Sequence, residues 1–209
     1  MQRLTEMTGN DVVDITAASK QSHWRRPGFL KKIFTEMEQL YIFNSENPEL
    51  IVWLLWSMKE SAYKIYVQQN RHRFFAPLQF ECKYEIISNN IYTGNVSAGN
   101  SGYTTISEYL NNVIYTSAFP DNNSKGQHII YEKLKFSNRH YETHHKEIYR
   151  SAVKKTSRLK GIPLEQLTIK KNALGVPELL FNKKKMDLSI SISHHGHYGA
   201  YIISEKQIT

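Results

Sequence analysis

The chain has 209 residues, of which 40% are hydrophobic and 22% charged, and its formal net charge at pH 7 is +8. This composition is typical of a globular protein with a real core and excludes a disordered chain. The single cysteine, Cys82, excludes an internal disulfide, and the longest apolar run, residues 51–56, is too short to cross a bilayer. The positive charge favours polyanionic partners, namely nucleic acid, acidic proteins or phosphate-rich cofactors.

The opening of the chain bears on where the protein works. Its first ten residues are polar and lack the apolar run of a secretory signal. A single cysteine, which cannot form an internal disulfide, is also typical of proteins in a reducing compartment. We therefore expect a cytoplasmic protein with no membrane partner.

The predicted elements divide the chain into three regions. The first is mostly helical, with a strand over residues 9–15, a helix over 28–40 and a long helix over 48–69. Residues 82 to about 140 are rich in Asn, Ser, Tyr and Ile and contain turn signals, which predicts short antiparallel strands. Residues 141–209 predict a helix, a loop and a closing hairpin. We therefore expect an α+β fold, in which an antiparallel sheet packs against the long helix.

The long predicted helix has two distinct faces. Its apolar residues recur at three- and four-residue spacing and form one stripe, which includes Leu54, Met58 and Ala62. Ser57, Glu60, Ser61 and Lys64 fall together on another face. Because Glu60 and Lys64 are one turn apart, an ordinary exposed ion pair explains them as well as a functional site does.

The closing hairpin alternates between apolar and polar residues. Leu188, Ile190 and Ile192 point to one side of its first strand, and Ser189, Ser191 and Ser193 point to the other. A turn rich in histidine, residues 194–197, follows. The hairpin therefore brings serine and histidine to one strand end, beside whatever its polar face meets.

Three separated segments together resemble the 4′-phosphopantetheinyl transferase superfamily. Residues 9–14, GNDVVD, look like its acidic opening motif, and residues 56–64, WSMKESAYK, are similar to its W-x-x-K-E-[SA]-x-x-K helix. Residues 191–194, SISH, look like its closing serine–histidine strand. Shorter matches support these: Phe34-Thr35 with Glu38, residues 75–77 with Phe80, and the turn 175–177, which resembles a Gly-x-Pro motif.

The resemblance implies a reaction and a set of site residues. A serine hydroxyl of an apo acyl carrier protein or carrier domain would attack the β-phosphate of coenzyme A, and 3′,5′-ADP would leave. Asp11 and Glu60 match the positions that bind Mg²⁺, for which Mn²⁺ is an alternative, and Lys64 matches a lysine that holds phosphates. Ser193 and His194 match the strand that contacts the 3′-phosphate and adenosine, and Pro177 lies in the matching turn.

This chain also departs from the family pattern. Val13 stands where the long enzymes carry a second acid, and Asp14 stands where the short enzymes commonly carry glutamate. A third protein ligand to the metal is therefore open. So is the general base, for which Glu60, a metal-bound water and an acid in the segment from Thr35 to Glu38 are candidates.

The order of the motifs is similar to that of the short, holo-acyl-carrier-protein synthase type. We therefore predict a single domain over residues 1–209 with an insertion at about 82–149. Short enzymes of this type bind coenzyme A between the protomers of a trimer. A homotrimer is therefore one expectation, and a monomer is the other if the insertion forms a second lobe.

One basic region is a candidate binding surface, and the histidines of the third region are a second cluster of interest. Arg25, Arg26 and Lys31 lie on a segment that, by the resemblance, meets the acidic carrier protein, and a merely solvated basic face is the alternative. The histidines of the third region are predicted to be unrelated to metal binding: His140, His144 and His145 on a surface helix, and His194, His195 and His197 pointing in different directions.

Two other functions compete with carrier modification. One is a homologue that binds coenzyme A without transferring it, although pure binding requires no metal pair such as Asp11 and Glu60. The other, less favoured, is a basic nucleic-acid-binding or metal-dependent nuclease domain. The closing serine–histidine hairpin has no role in that function, so we predict no nucleic-acid partner.

Overall fold

A computed structural model describes residues 7–74, 76–121, 127–137 and 141–206. The helices there are α1 (Ile15–Gln21), α2 (Phe29–Ile33), α3 (Glu36–Phe43), α4 (Pro48–Asn70) and α5 (Tyr141–Lys160). The strands are β1 (Gly9–Asp14), β2 (Glu81–Ser88), β3 (Ile91–Ala98), β4 (Ser101–Leu110), β5 (Val113–Pro120), β6 (Gln127–Lys135), β7 (Leu167–Lys171), β8 (Pro177–Phe181), β9 (Lys184–Lys185), β10 (Ser189–His195) and β11 (Tyr198–Lys206). None of the described helices is long and apolar enough to span a membrane.

The first layer is a five-stranded antiparallel sheet packed on α4. Its strand order is β1-β5-β4-β3-β2. Leu54, Met58 and Ala62 of α4 are buried against Tyr103 and Ile114 of the sheet. The α+β fold predicted from the sequence, with an antiparallel sheet on a long helix, is confirmed.

The bounds of α4 follow from its end residues. The Asn47 side chain accepts a hydrogen bond from the Leu50 N–H at 3.1 Å, and Pro48 occupies the first turn, where its missing N–H is not needed. The helix ends at Arg71, which adopts a left-handed conformation with φ 53°. Ser57 and Ser61 are buried as completely as the apolar stripe. The helix therefore lies at the centre of the layer and not on its surface.

The single helix predicted over residues 28–40 is wrong. Phe34 and Thr35 leave the helical conformation, and α3 begins anew behind Thr35. Thr35 and Glu38 form a capping box, in which the Glu38 N–H donates to the Thr35 hydroxyl and the Thr35 N–H donates to the Glu38 carboxylate. The short helix α1, which directly follows β1, was not predicted.

The second layer is built from the C-terminal half of the chain. One sheet has the order β10-β11-β6 and another β7-β8-β9. Helix α5 covers them through Ile148 and Ala152, which pack with Tyr201 and Leu179 in a separate core. Of the predicted insertion, residues 82–149, one part supplies β2 to β5 of the first sheet and the rest supplies β6 and the start of α5. The single domain over residues 1–209 stays a prediction.

Candidate functional site

The strand β1 lies directly on the backbone of α4. A Cβ atom at Gly9 would lie only 1.9 Å from the Ser61 carbonyl oxygen, so no larger residue fits this crossing. Two residues further along the strand, Asp11 comes beside Lys64. The Lys64 ammonium lies 3.4 Å from Asp11 Oδ1 and also donates to the Asn10 carbonyl oxygen.

Asp11, Glu60 and Lys64 form one electrostatic cluster. Burial raises the pKa of Asp11, and the Lys64 ammonium offsets part of that rise. Burial and the Asp11 charge raise the pKa of Glu60 to about 7, although Lys64 acts in the opposite direction. Burial therefore favours the neutral form of both acids, and the Asp11 charge favours that of Glu60 further. Perturbed pKa values of this kind are common at functional sites.

This pair of acids fits a hard divalent cation. Mg²⁺ commonly binds one or two protein carboxylates and completes its shell with water and substrate phosphates. A cation here would stabilise the ionised forms of Asp11 and Glu60, which burial disfavours. Across the described ranges, no group of three or more His, Cys, Asp or Glu side chains is arranged to hold a metal ion. Asp11 and Glu60 are therefore candidate ligands of a magnesium ion that would take its other ligands from water and phosphate.

Asp14 has both carboxylate oxygens engaged elsewhere. Oδ1 caps α1 by accepting from the Ala17 N–H at 3.1 Å, and Oδ2 accepts from the His197 N–H at 3.3 Å. Successive residues of a strand alternate between its faces, so Asp14 lies on the opposite face of β1 from Asp11. These bonds give Asp14 a structural role at the end of the strand.

The polar face of the closing hairpin meets β1. The Asn10 N–H donates to Ser191 Oγ at 3.0 Å, and the Asn10 side-chain amide donates to Ser193 Oγ at 3.0 Å. Ser193 is therefore buried against the strand that carries Asp11. His194, the next residue, turns toward Lys64 and α5.

Four basic side chains line a cavity beside His194. This cavity, about 380 Å³ in volume, lies between α1 and the β10–β11 turn. The basic residues are Lys20, His144, His194 and His195, and the rest of the lining is Ala17, Gln21 and Gly196. Burial, together with the neighbouring His144, His145 and Lys64, lowers the pKa of His194 to about 4. The size of the cavity, and its Lys20 ammonium with imidazole groups beside it, suit a phosphate group.

His144 is buried, contrary to the surface helix predicted for it. Only 2% of the residue is exposed. Its ring stacks on Phe136, with 4.0 Å between ring centroids, and meets the His194 ring edge-on at 5.8 Å. His145 on the same helix is only partly buried, and His140 lies outside the described residues. His144 faces inward because the first turn of α5 packs over the hairpin.

Pro177 lines a smaller cavity together with Lys64. This cavity of about 100 Å³ also contains Arg73, Val176 and Ser191 in its lining. A larger cavity of about 390 Å³ shares Gln68 and Pro177 with it as lining residues. Pro177 of the Gly-x-Pro turn and Lys64, the candidate phosphate-binding lysine, thus line the same cavity although they are far apart in the sequence.

A buried ion pair supports the residue next to Glu60. The Lys59 ammonium lies 2.8 Å from Glu38 Oε2, and both side chains are 0% exposed. Lys59 also donates to the carbonyl oxygens of Pro77 and Phe80, and the second Glu38 oxygen accepts from the Cys82 N–H at 2.7 Å. Glu38 is therefore removed from the candidate general bases, since water and substrate cannot reach it.

The basic residues predicted for carrier docking form a separate surface. The Arg25 guanidinium lies over the Trp24 ring at 4.0 Å, and Arg26 lies over the Phe29 ring at 4.7 Å. Lys31 is exposed on α2. None of these three lines the described cavities that contain Lys64 or His194.

Sequence reasoning missed two histidines of this region. His195 belongs to the period-two pattern of the hairpin, in which residues 189, 191, 193 and 195 share one face, so its direction could have been predicted. His144 left no comparable signal, because a histidine near the start of a helix is usually exposed. Lys20 belongs to α1, which was not predicted at all.

The fold and the cluster of two acids with a lysine define an α+β protein with a candidate phosphate-handling site. Comparison with protein families makes this specific. The family model of the 4′-phosphopantetheinyl transferase superfamily matches residues 7–105, and the chain carries a domain of this superfamily there. That range is just under half of the chain and includes Asp11, Glu60 and Lys64. A search of curated proteins found no match.

Proposed function

We propose that this protein transfers the 4′-phosphopantetheine group of coenzyme A to a serine of an apo carrier protein and releases 3′,5′-ADP. The observation that carries the proposal is the meeting of Asp11, Glu60 and Lys64 inside the matched domain. His194 of the hairpin lies close enough to Lys64 for the ammonium charge to lower its pKa. Phosphoryl transfer of this kind depends mainly on positioning and charge neutralisation, which such a cluster supplies.

Asp11 and Glu60 are the proposed holders of Mg²⁺ or Mn²⁺. Bound there, such an ion would polarise the phosphate oxygens of coenzyme A and neutralise charge that develops on them. The protein's own part is to hold the two carboxylates on β1 and α4 at the Gly9 crossing. Glu60 also remains a candidate for taking the serine proton.

Cationic side chains are the proposed binders of coenzyme A. Lys64 would hold the diphosphate, and its ammonium is oriented by Asp11 and by the Asn10 carbonyl oxygen. His194, His144 and Lys20 would receive the 3′-phosphate in the basic cavity, and the anion would favour the protonated histidines. Pro177 and Ser193 would border the adenosine, as the family resemblance suggests.

An acidic carrier protein is the proposed acceptor. Arg25, Arg26 and Lys31 would guide its docking, since complementary charge mainly accelerates encounter. Substituting Glu for Arg25 and Arg26 together should raise KM for the carrier and leave KM for coenzyme A unchanged. Equal KM values for the carrier in the variant and the wild type, at low salt, would contradict this docking surface.

One chain would suffice for a complete site. The electrostatic effect of Lys64 on His194 within one chain supports a site that needs no second protomer. We therefore favour a monomer over the trimer of the short enzymes. Sedimentation equilibrium of the purified protein decides between them, and a trimer whose dissociation abolishes activity would refute the monomer.

Intact-mass analysis of an apo acyl carrier protein tests the main proposal. After incubation with the protein, coenzyme A and Mg²⁺, the carrier should gain the mass of one phosphopantetheine arm. The gain should vanish with EDTA and with Glu60→Ala, and it should persist with Glu46→Ala, an exposed glutamate that precedes the same helix. Coenzyme A binding without any gain, across several unrelated carriers, would instead identify a binding homologue without transferase activity.

A further inference from the structure

The outer edge of β1 is covered by side chains and not by another strand. On its inner edge β1 pairs with β5. On its outer edge, the N–H groups of Thr8 and Asn10 donate to the hydroxyls of Ser189 and Ser191, at 3.1 and 3.0 Å. These bonds satisfy an edge that would otherwise offer open donors.

His195 is the last member of the same row. Its Nδ1 accepts a hydrogen bond from the Asp14 N–H at 3.1 Å. Because a backbone N–H can only donate, Nδ1 carries no proton and the proton of the neutral ring lies on Nε2. Nε2 is 2.8 Å from Gln21 Oε1, so it donates to the last residue of α1. Both ring nitrogens are therefore used within the protein.

Asp14 and the hairpin turn close the same junction. Asp14 accepts from the N–H groups of Ala17 and His197, as described above. A Cβ atom at Gly196 would lie 2.1 Å from Asp14 Oδ2, so the turn can approach only because it carries glycine with φ +60°. The ends of β1, α1 and β10 thus meet at one point, which we call the His195 junction (Asp14, Gln21, His195 and Gly196).

We propose that His195 is a positioning residue, which sets the spacing between the strand that carries Asp11 and the hairpin that carries His194. The inference rests on the proposed function. Asp11 lies on the strand that ends at this junction, and His194 directly precedes His195 in the chain. Loss of the junction would let the β10–β11 turn shift away from β1. The bonds that the Thr8 and Asn10 N–H groups donate to Ser189 and Ser191 would still hold the remainder of the two layers together.

Three substitutions separate positioning from simple structural support. His195→Asn places an oxygen near the position of Nδ1 and so can restore the bond from Asp14. His195→Gln can reach only the position of Nε2, and His195→Ala removes both bonds. His23→Asn is the matched control, since His23 is exposed in the connection between α1 and α2.

Calorimetric binding of coenzyme A in the presence of Mg²⁺ is the first readout. We expect His195→Ala to bind coenzyme A about tenfold more weakly, because the loss of one or two hydrogen bonds weakens binding by about this factor. His195→Asn should recover most of the affinity, and His195→Gln should not. Wild-type affinity in His195→Ala, or equal recovery by both amides, would overturn the proposal. So would affinity losses that simply follow the fall in Tm across the three variants.

Amide hydrogen exchange is the second readout, and it does not depend on ligand. The Asp14 and His197 amides should exchange faster in His195→Ala and at the wild-type rate in His195→Asn. Unchanged exchange in His195→Ala would refute the junction itself. Wild-type protein that neither binds coenzyme A nor modifies a carrier would instead refute the proposed function, whatever the exchange result.

Discussion

Replacing Lys59 by methionine tests how dry the interior beside Glu60 is. The change keeps the length of the side chain but removes the cation, and it leaves the Glu38 carboxylate buried with only the Thr35 and Cys82 N–H groups to bind it. The carbonyl oxygens of Pro77 and Phe80 lose their donor as well. Breaking a buried ion pair from one side typically costs about 3–5 kcal/mol. Because whole domains are stable by only about 5–15 kcal/mol, this loss should be large.

Urea unfolding followed by tryptophan fluorescence measures this free energy directly, because Trp53 is buried within α4. Lys59→Met should lower the midpoint at an unchanged m-value. Lys133→Met is the control: its pair with Glu108 is about one-third exposed on both sides, so about 0–1 kcal/mol is expected. Adding Glu38→Gln to Lys59→Met removes the orphaned charge and should recover about 2 kcal/mol. A Lys59→Met cost below about 1 kcal/mol, or no recovery in the double variant, would refute the reasoning.

Three further outcomes are expected at the site. Gly9→Ala should lower carrier modification more than tenfold, because its Cβ would lie 1.9 Å from the Ser61 carbonyl oxygen. The control is Gly99→Ala, which has open space around it and should lose only about 1–2 kcal/mol of stability and no activity. Since the pKa of Glu60 is raised from 4.5 to about 7, its contribution to the stability of the metal-free protein is present below pH 4.5 and is lost as the pH rises through 7. Mg²⁺ should therefore raise Tm more at pH 8 than at pH 6, and Glu60→Gln should abolish this difference. His144→Ala should raise KM for coenzyme A but not for 3′-dephospho-coenzyme A in steady-state assays, and equal increases for both would contradict a phosphate contact.

Much of the first layer could be predicted from the sequence, because its signals are local. The stripe of apolar residues in α4 and its Asn47-Pro48 start are enough to place that helix. The resemblance of motifs then singled out Glu60 and Lys64, whose spacing alone is equally typical of an exposed ion pair. The break before α3 was also readable, since Thr35 and Glu38 have capping-box spacing, but the apolar periodicity of residues 29–37 favoured one helix.

The residues that could not be predicted depend on contacts between distant segments. His144 is buried only because α5 packs on the hairpin and Phe136 lies under its ring. The hydrogen bonds from the edge of β1 to the serine side chains form only when residues near positions 10 and 190 come into contact. No local sequence pattern predicts that contact. The role of residues 82–120 in the first sheet was hidden for the same reason. Their strands were predicted, but their register against β1 was not.

The serine-covered edge of β1 has a consequence for how the molecule folds. The bond between Thr8 and Ser189 joins residues 181 positions apart, which makes it among the most non-local contacts in the described chain. Contacts of such long range form late, since a large loop must close before they give any stability. Until then β1 exposes a row of open N–H donors, which other chains can pair with. In refolding experiments, tryptophan burial should therefore recover before coenzyme A binding does, and the half-assembled protein should be the form most prone to aggregate.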